Sequence, residues 1–285
     1  MISSGVNTRE LILEILLQIE EEGEHSHIAI RNALSKYQFL PTQERSFITR
    51  VCEGTLEYRI YIDYVIDSFS KISVNKMKPQ IREILRSAVY QLKFMDSVPD
   101  SAVCNEAVKL AQKKGFYNLK PFVNGVLRTI AREIGNLELP LREENEVRYL
   151  SVKYSMPEYL VEKWNAAYGV KTTEKILEDF LTERPITVRC RTHKASRKEI
   201  VTSLKAQGVT VEQAPYLSYA LKISDYNHIL TLDAFLQGKI LVQDISSMLV
   251  AEAASPKKGD YIIDMCAAPG GKSIHVADKM GDYGN

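Results

Sequence analysis

Between residues 7 and 135 apolar side chains recur at intervals of three and four, broken by proline and glycine, which is the period of helices that bury one face. The first stripe, Leu11, Ile12, Ile15, Leu16 and Ile19, follows the capping pair Asn7 and Glu10 and ends near Gly23. The same spacing predicts helices over about 26–36, 42–57, 60–70, 80–95, 100–114 and 120–134. Pro41, Pro79, Pro99 and Pro121 stand near their starts, where a missing N–H costs nothing. A run of such helices implies an all-α bundle. The stretch GNLELP at 135–140 is the first without a helical period and marks an expected domain boundary.

Further helical turns follow, with Trp164 expected as a packed aromatic, and then the period shortens from 3.6 to 2. Ile186, Val188 and Cys190 would share one face of a strand and Thr187, Arg189 and Arg191 the other, so the thiol points inward and the arginines toward solvent. Ser196 and Glu199 form a capping box for a helix to about residue 207, followed by strand-like runs at 209–213, 219–223 and 239–243. Strand, helix and strands suggest a small α+β module. A short helix at about 246–254 leads through Pro256 and Gly259 into the apolar run Tyr261, Ile262, Ile263, Asp264 and Met265, read as a strand that opens a new α/β unit.

Composition adds bounds. With 285 residues, 45% hydrophobic and 26% charged, the chain is globular and long enough for about two domains, or three small ones. There is no leader-like start and no run of about 18 apolar residues, so a soluble cytoplasmic protein without membrane contact is expected. Cys52, Cys104, Cys190 and Cys266 form no paired spacing, so neither a disulfide framework nor a bound metal is indicated.

The net charge of +1 conceals a strong asymmetry: residues 1–70 hold six Lys and Arg against eleven Asp and Glu, and residues 71–132 hold twelve against four. A second cationic stretch at 184–198 carries six basic side chains and no acid. Either block alone reads equally well as a solvated face; together they point to a polyanion such as RNA or DNA.

The sharpest signal is DMCAAPGGKS at 264–273, between the expected strand and a helix holding Ile274, Val276 and Ala277. Such a turn offers free N–H donors and the positive end of a helix dipole to an anionic group, while Gly270 and Gly271 permit positive φ and close approach. Three readings compete on these residues. A phosphate-binding G-x-x-x-x-G-K-[ST] loop needs glycine where Cys266 stands, and a dinucleotide G-x-G-x-x-G is absent. A tight strand-to-helix connection without ligand leaves Lys272 opposing the dipole in the first turn.

DMCAAPGGKS resembles the first cofactor-binding motif of the RNA 5-methylcytosine methyltransferases, and the preceding run ILVQDISSMLVAEAASPKKGDYIIDM resembles the approach to it in their RsmB (Sun, Fmu) branch. LRSAVYQLKFMDSVPDSAVCNEAVKLAQKKG and FVNGVLRTIARE resemble the NusB antitermination fold of that branch, and residues 145–240 its intermediate RNA-recognition module. The resemblance implies a multidomain chain: a NusB-like all-α RNA-binding domain at 1–138, an α+β RNA-recognition module at 139–243, and at 244–285 the first strand, loop and helix of a class I (Rossmann-like) methyltransferase domain. It further implies an S-adenosylmethionine-dependent small-subunit (16S) rRNA cytosine-C5 methyltransferase. Cys266, Ala267, Ala268, Pro269, Gly270, Gly271 and Lys272 would hold the methionine end of the cofactor, and Arg189, Arg191, Lys194, Arg197 and Lys198 would contact RNA phosphates. A non-catalytic RNA-binding, antitermination-like module is the alternative.

Carbon 5 of cytosine is a poor nucleophile. A thiolate must add to carbon 6 before methyl transfer, and a base must then remove the carbon 5 proton so that the thiolate can leave. In the family this thiol follows a Thr and a second, assisting cysteine follows a Pro; none of the four cysteines here has either neighbour. Cys52, Cys104 and Cys190 read as buried thiols, and Cys266 belongs to the cofactor loop in the family pattern, so no catalytic residue is assigned. The sequence stops at Asn285, ahead of the strand whose acid should hold the ribose hydroxyls. The expectation is therefore a truncated methyltransferase domain, inactive alone, with the apolar run at 261–265 lacking strand partners.

Overall fold

The computed structural model describes residues 6–182, 185–226 and 229–281; Arg184 and His228 lie outside them. The chain forms two compact units, divided between Thr182 and Glu183.

The first unit is entirely helical. Its helices are α1 (Thr8–Glu22), α2 (Ser26–Lys36), α3 (Thr42–Glu57), α4 (Arg59–Phe69), α5 (Pro79–Phe94), α6 (Asp100–Lys113), α7 (Lys120–Glu133), α8 (Glu146–Tyr154), α9 (Glu158–Tyr168) and α10 (Val170–Phe180). The first seven follow the expected spans to within a residue. Asn7 caps α1 by accepting from the Arg9 and Glu10 N–H groups, and Gly23 ends the helix in the left-handed conformation that spares glycine a Cβ clash. The reciprocal half of the capping pair is not made: Glu10 turns instead to Lys113 and Lys114.

Helix α5 is the hub, buried along most of its length and packed on α1, α3, α4, α6 and α7. Its approach to α3 requires a residue without a side chain, since a Cβ at Gly54 would lie 2.1 Å from the Tyr90 ring. Buried beside this core is an ion network. Arg86 donates to Asp63 at 2.7 Å, to Glu20 at 2.9 Å and to Glu83 at 2.6 Å, and Arg82 reaches Glu20 at 2.8 Å.

Part of the acid-rich start of the chain is thus paired with part of the basic stretch after it. Arg82 and Arg86 meet Glu20 and Asp63, while Lys113 and Lys114 meet Glu10 and Glu14. Beyond the bundle, α8, α9 and α10 close their own small core around Leu150, Val161 and Leu177, with Trp164 stacked on Phe180.

The second unit holds β1 (Ile186–Cys190), α11 (Arg197–Ala206), β2 (Thr210–Gln213), β3 (Ala220–Ser224), α12 (Asp233–Leu236), β4 (Ile240–Val242), α13 (Ile245–Ala254) and α14 (Gly271–Met280). The strands form one antiparallel sheet in the order β2-β3-β1-β4, with Val188 opposite Leu221 and Arg189 opposite Leu241. Val188 and Cys190 share a core with Ile200 and Leu204 of α11. Ser196 and Glu199 make the expected capping box.

Two expectations are corrected here. The apolar run at 261–265 is not a strand: it has no ladder partner, and Tyr261, Ile263 and Met265 stand exposed, Met265 by 93%. A strand exists through its pairing, and the described residues offer none to this segment. The helix expected after the glycines does form, as α14, but no Rossmann-like strand precedes it. The second correction concerns Arg189, which does not face solvent; it is 2% exposed.

Candidate functional site

The motif loop is built from its two ends. Asp264 accepts from the Cys266 N–H at 3.0 Å and from the Ser273 hydroxyl at 2.7 Å, so one carboxylate closes the loop across nine residues. The Ser273 hydroxyl, followed by the Cys266 amide, holds that carboxyl below its usual range. Ala267, Ala268 and Pro269 are exposed between these anchors, and Cys266 is the one exposed thiol of the four. Gly270 takes φ +103° and heads α14 with no side-chain cap, leaving the first amides of the helix for another acceptor. Of the two glycines that permit positive φ, only Gly270 uses it; Gly271 is helical, and a Cβ there would meet nothing within 4 Å, so its face is open to a close-lying ligand. Lys272 projects from the first turn, exposed. Uncapped amides, small side chains and one cation at a helix N-terminus suit a carboxylate or phosphate.

The opposite end of α14 is held by charge. Asp278 accepts from Arg189 Nη1 at 2.6 Å and from Arg191 Nε at 2.8 Å, a second bond runs from Arg191 Nη2, and His193 Nε2 lies 3.5 Å away. Burial opposes the charge of Asp278, but the bonds from Arg191 and Arg189 outweigh it and keep the carboxyl below its usual range. Arg189 also donates from Nε to Gln243 at 2.8 Å. The alternation of β1 was therefore legible, but not what covers its second face: α14 lies there, so Arg189 is buried and needs a counterion. His275, 2% exposed and edge-on to Tyr219, is pushed down to about 4, chiefly by burial and then by Arg189. Asp278 and Tyr219 drew no attention in the sequence, where an acid late in a helix and a tyrosine in a strand look ordinary.

Five basic residues were expected to contact RNA, and the structure separates them. Arg189 is buried and Arg191 engaged by Asp278, whereas Lys194, Arg197 and Lys198 stand exposed on the loop after β1 and the first turn of α11. Arg197 donates to Gln213 at 2.5 Å from that exposed position. Of the remaining thiols, Cys52, Cys104 and Cys190 are buried, and burial pushes all three up, Cys190 to about 11.

Comparison with known proteins agrees with this architecture. Residues 6–132 match the model of the NusB family, and residues 156–229 that of the RsmF/B-like methyltransferase ferredoxin-like domain. The chain is 35% identical over 281 residues to the probable ribosomal RNA small subunit methyltransferase B of Bacillus subtilis, covering 98% of this chain and 61% of that protein. It is 32% identical to the protein of the same description from Synechocystis, covering 98% and 62% respectively. Among solved structures, that described as the crystal structure of PH0851 superposes with a TM-score of 0.70 at 26% identity, covering 99% of this chain and 63% of the other. The chain thus spans somewhat under two thirds of the length of the relatives it matches. A NusB-family domain is thus followed by an RsmF/B-like methyltransferase ferredoxin-like domain, and similarity to the small subunit methyltransferase B proteins runs through nearly the whole chain.

Proposed function

We propose that this chain serves cytosine-C5 methylation of small-subunit rRNA, with S-adenosylmethionine as methyl donor. The observation that carries the reading is the loop at 264–273, stapled by Asp264 and opening onto the uncapped N-terminus of α14. Its open amides and Lys272 would take the methionine carboxylate, Gly271 leaves room for close approach, and Cys266, Ala267, Ala268, Pro269 and Gly270 form the wall of that cradle. Bound there, the donor supplies an electrophilic methyl group on sulfur. The protein's own part is to hold the anionic end of the donor and to present RNA.

For RNA, Lys194, Arg197 and Lys198 are the phosphate contacts we propose in the second unit, and Arg189 and Arg191 are left out of that proposal because Arg189 is buried and both are engaged by Asp278. The domain reading follows the same lines: a NusB-like domain at 1–138, an RNA-recognition module at 139–243 and the cofactor loop with its helix from 244 onward.

The test is binding of the whole chain to a small-subunit rRNA fragment across a salt series, with Lys194, Arg197 and Lys198 changed together to Gln. Affinity should fall by about an order of magnitude, and the salt dependence should lose roughly one unit of slope per phosphate contact removed. Unchanged affinity and slope would return these residues to an ordinary solvated surface.

A further inference from the structure

We infer that Asp278 is a positioning residue for the motif loop, through its grip on Arg189, Arg191 and His193 at the end of β1; this rests on the reading of that loop as a cofactor site. The loop itself supplies few constraints of its own. Its approach, 261–265, has no sheet partner among the described residues, and it is closed by Asp264 acting on Cys266 and Ser273 and by the Gly270 N–H donating to the Ala267 carbonyl, all within the loop or the helix it enters. What fixes the direction of that helix must therefore come from contacts along α14.

Among the described residues α14 packs along α13, and three polar or aromatic contacts add to that packing, unequal in kind. Lys279 pairs with Glu252 of α13 at 2.8 Å, with both side chains partly exposed, so solvent weakens the attraction. His275 packs edge-on against Tyr219, which also donates to Glu252. Asp278 differs in kind. Its carboxylate is 5% exposed, two guanidiniums converge on it, and Arg189 is fixed in turn by Gln243 beside β4. Removing the carboxylate that two buried or half-buried cations face leaves those charges with neutral partners only among the bonds described, a costly outcome for a buried charge.

The ion cluster is also placed so that its state is felt at the glycines. A helix transmits displacement as a rigid rod, and Asp278 lies two turns from Gly271 on the same helix. It joins the helix that carries the loop to the first strand of the ferredoxin-like module, the strand from which the exposed Lys194, Arg197 and Lys198 follow. The structure thus assigns Asp278 the task of holding the cofactor loop in register with that module, without touching cofactor or RNA.

Hydrogen exchange on the whole chain, read by peptide over an S-adenosylmethionine titration, tests the assignment in the wild type, Asp278→Asn and Arg191→Gln. In Asp278→Asn without ligand, exchange across residues 264–280 should rise roughly tenfold or more, with β1–β3 and α1–α7 unchanged; Arg191→Gln should give a smaller rise in the same segment. With ligand, Asp278→Asn should need about tenfold more cofactor to reach the same plateau of protection at 266–272, the mark of a displaced loop and not of a lost binding group. Unchanged exchange at 264–280 in Asp278→Asn overturns the inference, as does melting of β1–β3 in both variants, which would make the cluster a staple of the sheet. If the wild type shows no cofactor protection at any concentration, the cofactor reading fails instead, and the ligand-free comparison still decides whether Asp278 sets the loop.

Discussion

At the scale of single residues, buried charge dominates this protein. Glu83 is 2% exposed and bonded to Arg86, yet burial outweighs that partner and moves its carboxyl from 4.5 up to about 7. A carboxyl raised in the folded state adds stability in full below its ordinary value, and loses that contribution as pH rises through the folded one. Unfolding free energy of the helical unit should therefore carry a component from Glu83 that declines between about pH 4.5 and 7. Glu83→Gln should flatten this component, as urea denaturation at several pH values can show. An unchanged profile in the variant would assign the titration elsewhere.

At the scale of elements, the sequence was most informative where one helix face meets a large core. The spans and starts of α1 to α7 follow from apolar spacing and from prolines placed at helix starts. Two kinds of information were missing. Helix pairing is one: nothing in the local pattern of Gly54 says that Tyr90 will lie over it. Adding a methyl there forces α3 and α5 apart or bends the ring aside, so Gly54→Ala should cost about 1–3 kcal/mol, measurable by thermal and chemical denaturation, while the same change at exposed Gly125 should cost far less. The second kind is the partner of a strand or of a sheet face. The apolar composition of 261–265 reads as a strand whether or not a neighbour exists, and the alternation in β1 gives Arg189 a face without saying that α14 covers it. For the candidate site, the turn into a helix after the glycines was legible in DMCAAPGGKS, whereas the staple by Asp264 and the anchor at Asp278 depend on three-dimensional closure.

For the molecule as a whole, the placement of its thiols bears on chemistry. Addition to carbon 6 of cytosine requires a thiolate that can reach a base. Cys52, Cys104 and Cys190 are buried with their thiols pushed up, and Cys266 belongs to the loop proposed to hold the donor. The 285-residue chain by itself should therefore transfer no methyl group from labelled S-adenosylmethionine to small-subunit rRNA. Transfer that disappears in Cys266→Ala would make that residue the nucleophile and overturn its assignment to binding. The pairing of the acidic first helices with the basic helices after them bears on a different event, the birth of the chain. Lys113 and Lys114 are made about a hundred residues after the Glu10 and Glu14 they neutralise, whereas the apolar face of α1 meets α2 and α3 early and waits for α5 to complete its cover. During synthesis at about 5–20 residues per second, α1 is thus a negatively charged helix without these counterions for some 5–20 s. The first three helices can pack on one another as they emerge, but α1 gains its last cover from α5 and its counterions only with α6.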